Sequence, residues 1–149
     1  MIDPSVTKHL SKYFELARNH FEDGDYPLAT FFAITLIEEC AKILILRDAD
    51  LQNKTERHRA VDHGEKQWTA LVNLISSSEN FDTLPKQWQD EAWSLFVPEG
   101  KKASQIRTNS LHLRLNRKGK LTASDQLIKA DHTAVLVYLS GFVVYELEE

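Results

Sequence analysis

Between Leu28 and Leu46 the chain reads LATFFAITLIEECAKILIL, with only Glu38, Glu39 and Lys42 charged. An apolar run of this length is too long for one ordinary strand and suits a helix. A helix that is apolar all round has no face for water, so it sits at the centre of its bundle. With Pro27 in the first turn, the run predicts a helix from about Tyr26 to Ala49. Its three charges then need an explanation, because each costs several kcal/mol if buried without a partner. Glu38 and Lys42 are four apart and Glu39 and Lys42 are three apart, so either pair can meet on one face. The two glutamates point about 100° apart. At least one of them therefore faces a partner helix, a cleft or a second subunit. Two readings stand: an internal ion pair that fixes helix register, or a polar site inside the bundle.

The remaining segments supply helices to cover this one. Asp3-Pro4 opens a first helix, with Val6, Leu10, Tyr13, Phe14, Ala17 and Phe21 on one face and a turn at Asp23-Gly24-Asp25. Residues 50 to 56 read as a polar loop. A third helix is expected from about Arg57 to Ser77, with Trp68, Leu71, Val72 and Ile75 inward. A fourth is capped by Thr83 and followed by Pro85, with Leu84, Trp88, Ala92, Leu95 and Phe96 inward, and it stops at Pro98-Glu99-Gly100. From Gln105 to Leu121 the period changes. Leu111, Leu113 and Leu115 alternate with His112 and Arg114, and Asn116-Arg117-Lys118-Gly119 is turn-like. That pattern predicts a short hairpin or extended segment. Thr122 and Asp125 have capping-box spacing for a last helix through Val144, packed by Leu127, Ile128, Val135, Leu136, Leu139 and Phe142. Its valines also suit a strand. The expected fold is mainly α, an up-and-down bundle of about five helices with one short extended excursion before the last.

A chain of 149 residues fits a single domain over 1–149 with one apolar core. The start, MIDPSVTKHLSK, has no apolar h-region. The longest uncharged stretch, Thr133 to Tyr145, is shorter than the about 20 residues that span a bilayer. A cytoplasmic location without membrane insertion is the default expectation. Cys40, the single cysteine, lies in the apolar run and reads as a small buried hydrophobe. The net charge of −4 argues against nucleic-acid binding by the whole surface. It leaves room for a local basic site: Lys101, Lys102, Arg107, Arg114, Arg117, Lys118 and Lys120 lie in a stretch without an acid. That stretch is either an RNA-binding surface or a solvated loop and hairpin.

Three groups carry candidate chemistry. The first is Glu38, Glu39 and Lys42. The second is Asp62-His63-Gly64-Glu65-Lys66, where His63 and Lys66 are three apart and share a helical face. It becomes a site if Glu38 or Glu39 faces His63 across the bundle. The third is Arg107 with His112, an Arg-x4-His spacing that arises by chance in a chain with this many arginines and histidines. The chemistry such a pair serves is RNA cleavage without a metal. A histidine moves a proton near neutral pH, an arginine holds the scissile phosphate, and the ribose 2′-hydroxyl is the nucleophile. Neither metal nor cofactor is expected. Two Glu-x-x-His motifs, a Gly-rich phosphate loop, a Cys/His cluster and a Gly-x-Ser-x-Gly elbow are all missing from the sequence.

Taken in order, four segments resemble the AbiV abortive-infection family, a branch of the HEPN-like helical bundles. They are His20-Phe21-Glu22-Asp23-Gly24-Asp25-Tyr26 with Ala29, Ile37-Glu38-Glu39-Cys40-Ala41-Lys42, His63-Gly64-Glu65-Lys66, and Arg107-Thr108-Asn109-Ser110-Leu111-His112-Leu113. The resemblance covers about residues 10 to 145. It implies a HEPN-like bundle and a role in stopping phage-infected cells. It also implies a polar set of Glu38, Glu39, Lys42, His63, Lys66 and Arg107, and a homodimer in which two Arg-x4-to-6-His motifs meet. By the same resemblance Arg107 and His112 are candidate catalytic residues of a metal-independent ribonuclease acting on RNA or translation. In the wider HEPN group this motif sits on a helix, whereas the alternation here predicts an extended segment. The alternative function is a non-catalytic helical module that binds a phage or host protein or a toxin partner. A helical scaffold without a defence role is the third reading.

Overall fold

The computed structural model describes residues 3–47, 53–97, 102–110, 114–115, 121–122 and 130–148. Seven α-helices occur among them: α1 (Pro4–Glu22), α2 (Tyr26–Arg47), α3 (Lys54–Val61), α4 (His63–Ala70), α5 (Lys86–Phe96), α6 (Lys102–Asn109) and α7 (Ala130–Glu148). The mainly α expectation holds. Two strands of two residues each, β1 (Arg114–Leu115) and β2 (Leu121–Thr122), pair antiparallel with Leu115 opposite Leu121.

Helix α2 is the hub, packing against α1, α3, α4, α6 and α7. The reason is in its sequence. Ala29, Ala33, Ile34, Leu36, Ile37, Cys40 and Ala41 are all fully buried, and with the buried Thr30, Glu38 and Ile45 they cover about half of the helix's circumference. The small residues among them let neighbouring backbones come close. Leu10 and Ala17 of α1 and Leu136, Leu139 and Val143 of α7 complete this core. The valines of α7 stay helical because their burial against α2 outweighs a modest strand preference. Inside the α2–α7 contact the buried hydroxyls of Thr30 and Thr133 are 2.8 Å apart and satisfy each other.

Local signals set the helix ends. The Asp3 carboxylate accepts from the Ser5 amide at 2.8 Å and Pro4 occupies the first turn. The α1–α2 turn uses Gly24 at φ 80°, a conformation that side chains disfavour. Around it the Asp25 amide donates to His20 O and the Gly24 amide to Phe21 O, which closes a Schellman motif. Asp25 Oδ1 then accepts from the Leu28 amide and caps α2.

Several expectations change. The predicted third helix is broken at Asp62, whose backbone is extended (φ −77°, ψ 123°) and whose side chain accepts from the Glu65 amide at 2.9 Å. Asp62 thus ends α3 and starts α4. Helix α3 also begins earlier than Arg57, because Asn53 Oδ1 accepts from the Thr55 amide. The segment from Leu71 to Ile75 is a π turn, which shifts the helical register, and Trp68 ends up 40% exposed rather than inward. Thr83 does not cap α5: it closes a 3-10 turn (Phe81–Thr83) and donates to Asn80 O. The extended segment expected from Gln105 begins later, since α6 runs through Asn109. Thr122 belongs to β2 and not to a helix cap. The expected turn at 116–119, with Asp125, Leu127 and Ile128, lies outside the described residues.

Candidate functional site at the α2–α4 junction

Glu38 and Glu39 part company. Glu39 stays on its own helix, 2.7 Å from Lys42 Nζ, and both side chains are about one-third exposed or less. Glu38 is 2% exposed and points to α4. There its Oε1 meets His63 Nδ1 in a short hydrogen bond, and Lys66 Nζ lies 3.9 Å from the same oxygen. Lys66 is itself buried, whereas about half of the His63 side chain is open to solvent. Sequence spacing allowed Lys42 to pair with either glutamate, and the structure selects Glu39.

The cap at Asp62 makes this geometry. It sets His63 as the first residue of α4, so His63 and Lys66 lie one turn apart on the face turned to α2. The polar island gathers an acid, a base and an ammonium from two helices into an otherwise apolar contact. A buried carboxylate held this way is costly to strip of its partners. Glu65 turns the other way, to Arg59 Nε at 3.3 Å. Next to the island Cys40 is sealed in the core. Burial raises its thiol pKa far above the ordinary value, and the charges of Glu39 and Glu148 push the same way.

Helix α6 packs on both α2 and α4. Its Ser104 Oγ accepts from Gln67 Nε2 at 3.0 Å, and Ala103 and Ser110 are buried. Position 107 lies on α6, three residues after Ser104 and three before Ser110, so Arg107 is carried by a helix that borders the island. Gln67 and Ser104 are the site neighbours that the sequence did not flag, since a lone Gln and a lone Ser carry no spacing signal. Lys102 Nζ donates to Ser94 Oγ at 3.2 Å, on the α5–α6 side. Arg114 is in β1, while Lys101, His112 and Arg117 lie outside the described residues.

The profile of the HEPN-type AbiV family matches residues 5–141, nearly the whole chain. The chain belongs to the AbiV family. No curated protein and no solved structure matches it. As an AbiV member it is a HEPN-like helical protein of an abortive-infection family. Arg107 lies on helix α6, while His112 lies outside the described residues. Among the described residues of this AbiV chain, no helix is long and apolar enough to cross a membrane.

Proposed function

We propose that this AbiV-family chain is an antiphage abortive-infection effector that acts in the cytoplasm on RNA or the translation machinery, as a metal-independent endoribonuclease. The observation that carries the reading is the half-exposed His63 hydrogen-bonded to the buried Glu38. A structural ion pair needs no imidazole at the surface, whereas proton transfer to a substrate does. His63 takes the proton of a ribose 2′-hydroxyl, and the resulting oxyanion attacks the adjacent phosphorus. The bond to the 5′-oxygen breaks, that oxygen leaves with a proton, and a 2′,3′-cyclic phosphate remains. In the family pattern Arg107 holds the phosphate and His112 supplies the departing proton. Lys101, Lys102, Arg114 and Arg117 serve to bind RNA, and the chain acts as a single domain over 1–149.

The purified protein is expected to cut RNA in EDTA. His63→Ala or His112→Ala is expected to abolish cutting. Intact cellular and phage RNA under every activating condition sinks the nuclease reading.

A second reading has its own support. An open groove of about 960 Å³ runs between α1 and α7, bordered by Phe14, Trp88, Tyr138, Phe142 and Tyr145. Tyr138 and Tyr145 are 47% and 56% exposed. Such an apolar face suits a homodimer or a phage or host protein partner. Light scattering on concentrated protein tests self-association, and a clean monomer counts against the dimer.

A further inference from the structure

We infer that Glu38 is the positioning residue of His63: it fixes the imidazole with its proton on Nδ1, so that Nε2 is the basic atom, and Lys66 is its countercharge. The inference rests on the reading of His63 as the base, and it assigns the division of labour within that site.

Glu38 lies on α2 beside the fully buried Ile34, Ile37 and Ala41 and is itself 2% exposed, so its carboxylate is met from within the chain. A carboxylate only accepts, so the nitrogen that meets it must donate. That nitrogen is Nδ1. In a neutral ring the lone pair then belongs to Nε2, on the far edge of an imidazole whose surface is 48% exposed. The opposite tautomer would set the Nδ1 lone pair against carboxylate lone pairs.

Lys66 Nζ lies 3.9 Å from the same Glu38 oxygen, and it is buried with it. An ammonium there offsets the charge of the buried carboxylate. Asp62 holds the arrangement from the backbone side by capping α4 one residue before His63. Glu39 stands apart, with its carboxylate on Lys42.

Nitrogen NMR of the full chain with labelled histidine reads the tautomer directly, and His63→Gln assigns the signal. At a pH where the ring is neutral, wild-type His63 is expected to be protonated at Nδ1 and bare at Nε2. The double variant Glu38→Leu/Lys66→Met replaces the charged pair by apolar side chains of similar size, an exchange that folds tolerate. In it the Nδ1–H form is expected to give way to the Nε2–H form that an unanchored imidazole prefers. Its RNA cleavage is expected to fall about 10- to 100-fold in kcat with KM unchanged, comparable to what outer partners of metal-bound histidines contribute. A wild-type ring protonated at Nε2, an unchanged tautomer in the double variant, or wild-type kcat in that variant each overturns the inference. If the double variant does not fold, the wild-type spectrum alone decides. If no RNA is cut at all, the nuclease reading falls while the tautomer result still judges Glu38.

Discussion

The α2–α4 junction and the α1–α7 groove break the same rule from opposite sides. At the junction, charge is buried: Glu38 and Lys66 lie inside, with His63 at the rim. At the groove, apolar surface is exposed around Tyr138, Phe142 and Tyr145. Each would be an oddity in a scaffold built only for stability. The contrast teaches where to look for function. The junction has its polar groups met from within the chain, so it is built to hold a geometry. The groove leaves Tyr138 and Tyr145 about half exposed, which is why a partner surface is proposed there.

The largest expected effect breaks the junction and leaves its neighbour as control. Glu38→Ala strips the buried Lys66 of its countercharge and is expected to cost about 3–5 kcal/mol in urea unfolding. Glu39→Ala removes a partly exposed pair with Lys42 and is expected to cost about 1 kcal/mol or less. Equal costs would erase the distinction between the two glutamates. Next comes the seam between α2 and α7. Thr133→Val leaves the Thr30 hydroxyl buried without its partner and is expected to cost about 1–2 kcal/mol.

The groove predicts the reverse pattern. Tyr138→Lys and Tyr145→Lys are expected to move stability by no more than about 0.5 kcal/mol. Their effect should be on association, with the light-scattering mass dropping from dimer to monomer. A dimer that survives both changes places the interface elsewhere. A smaller effect concerns Cys40, whose thiol is expected to stay unreactive to alkylating reagents at neutral pH until the chain unfolds, because burial keeps it protonated. The smallest is Asp3. Its hydrogen bonds to Ser5 lower its pKa below the ordinary 3.8. Its capping contribution is therefore full above that value and is lost as pH falls through the lowered one. Circular dichroism should show a slight loss of α1 helicity in that acid window, absent in Asp3→Ala.

Some of this was legible in the sequence for energetic reasons. Charges in the run from Leu28 to Leu46 had to be compensated, so α2 and its polar island stood out before any coordinates. The 100° between Glu38 and Glu39 required that one of them leave the helix for a neighbour, though not which one. The break at Asp62 was hidden by the apolar period that continues through Leu71 and Ile75. Its signal was present in the capping spacing of Asp62 and Glu65, of which the structure uses the Asp62 half. Helix α6 was masked because the alternation of Leu111, Leu113 and Leu115 dominates its weakly patterned neighbour KASQIRTN. The π turn at Leu71–Ile75, which packs against α5 and α7, has no local sequence signature.

The α2–α4 island is proposed to be a site and not merely an internal ion pair. Protection of cells against a panel of phages, scored as plaquing efficiency, tests this with His63→Gln, a change at a half-exposed position that should leave the fold intact. The variant, folded and expressed at the wild-type level, is expected to lose protection against every phage that the wild-type protein restricts. Full protection by the folded variant would contradict it.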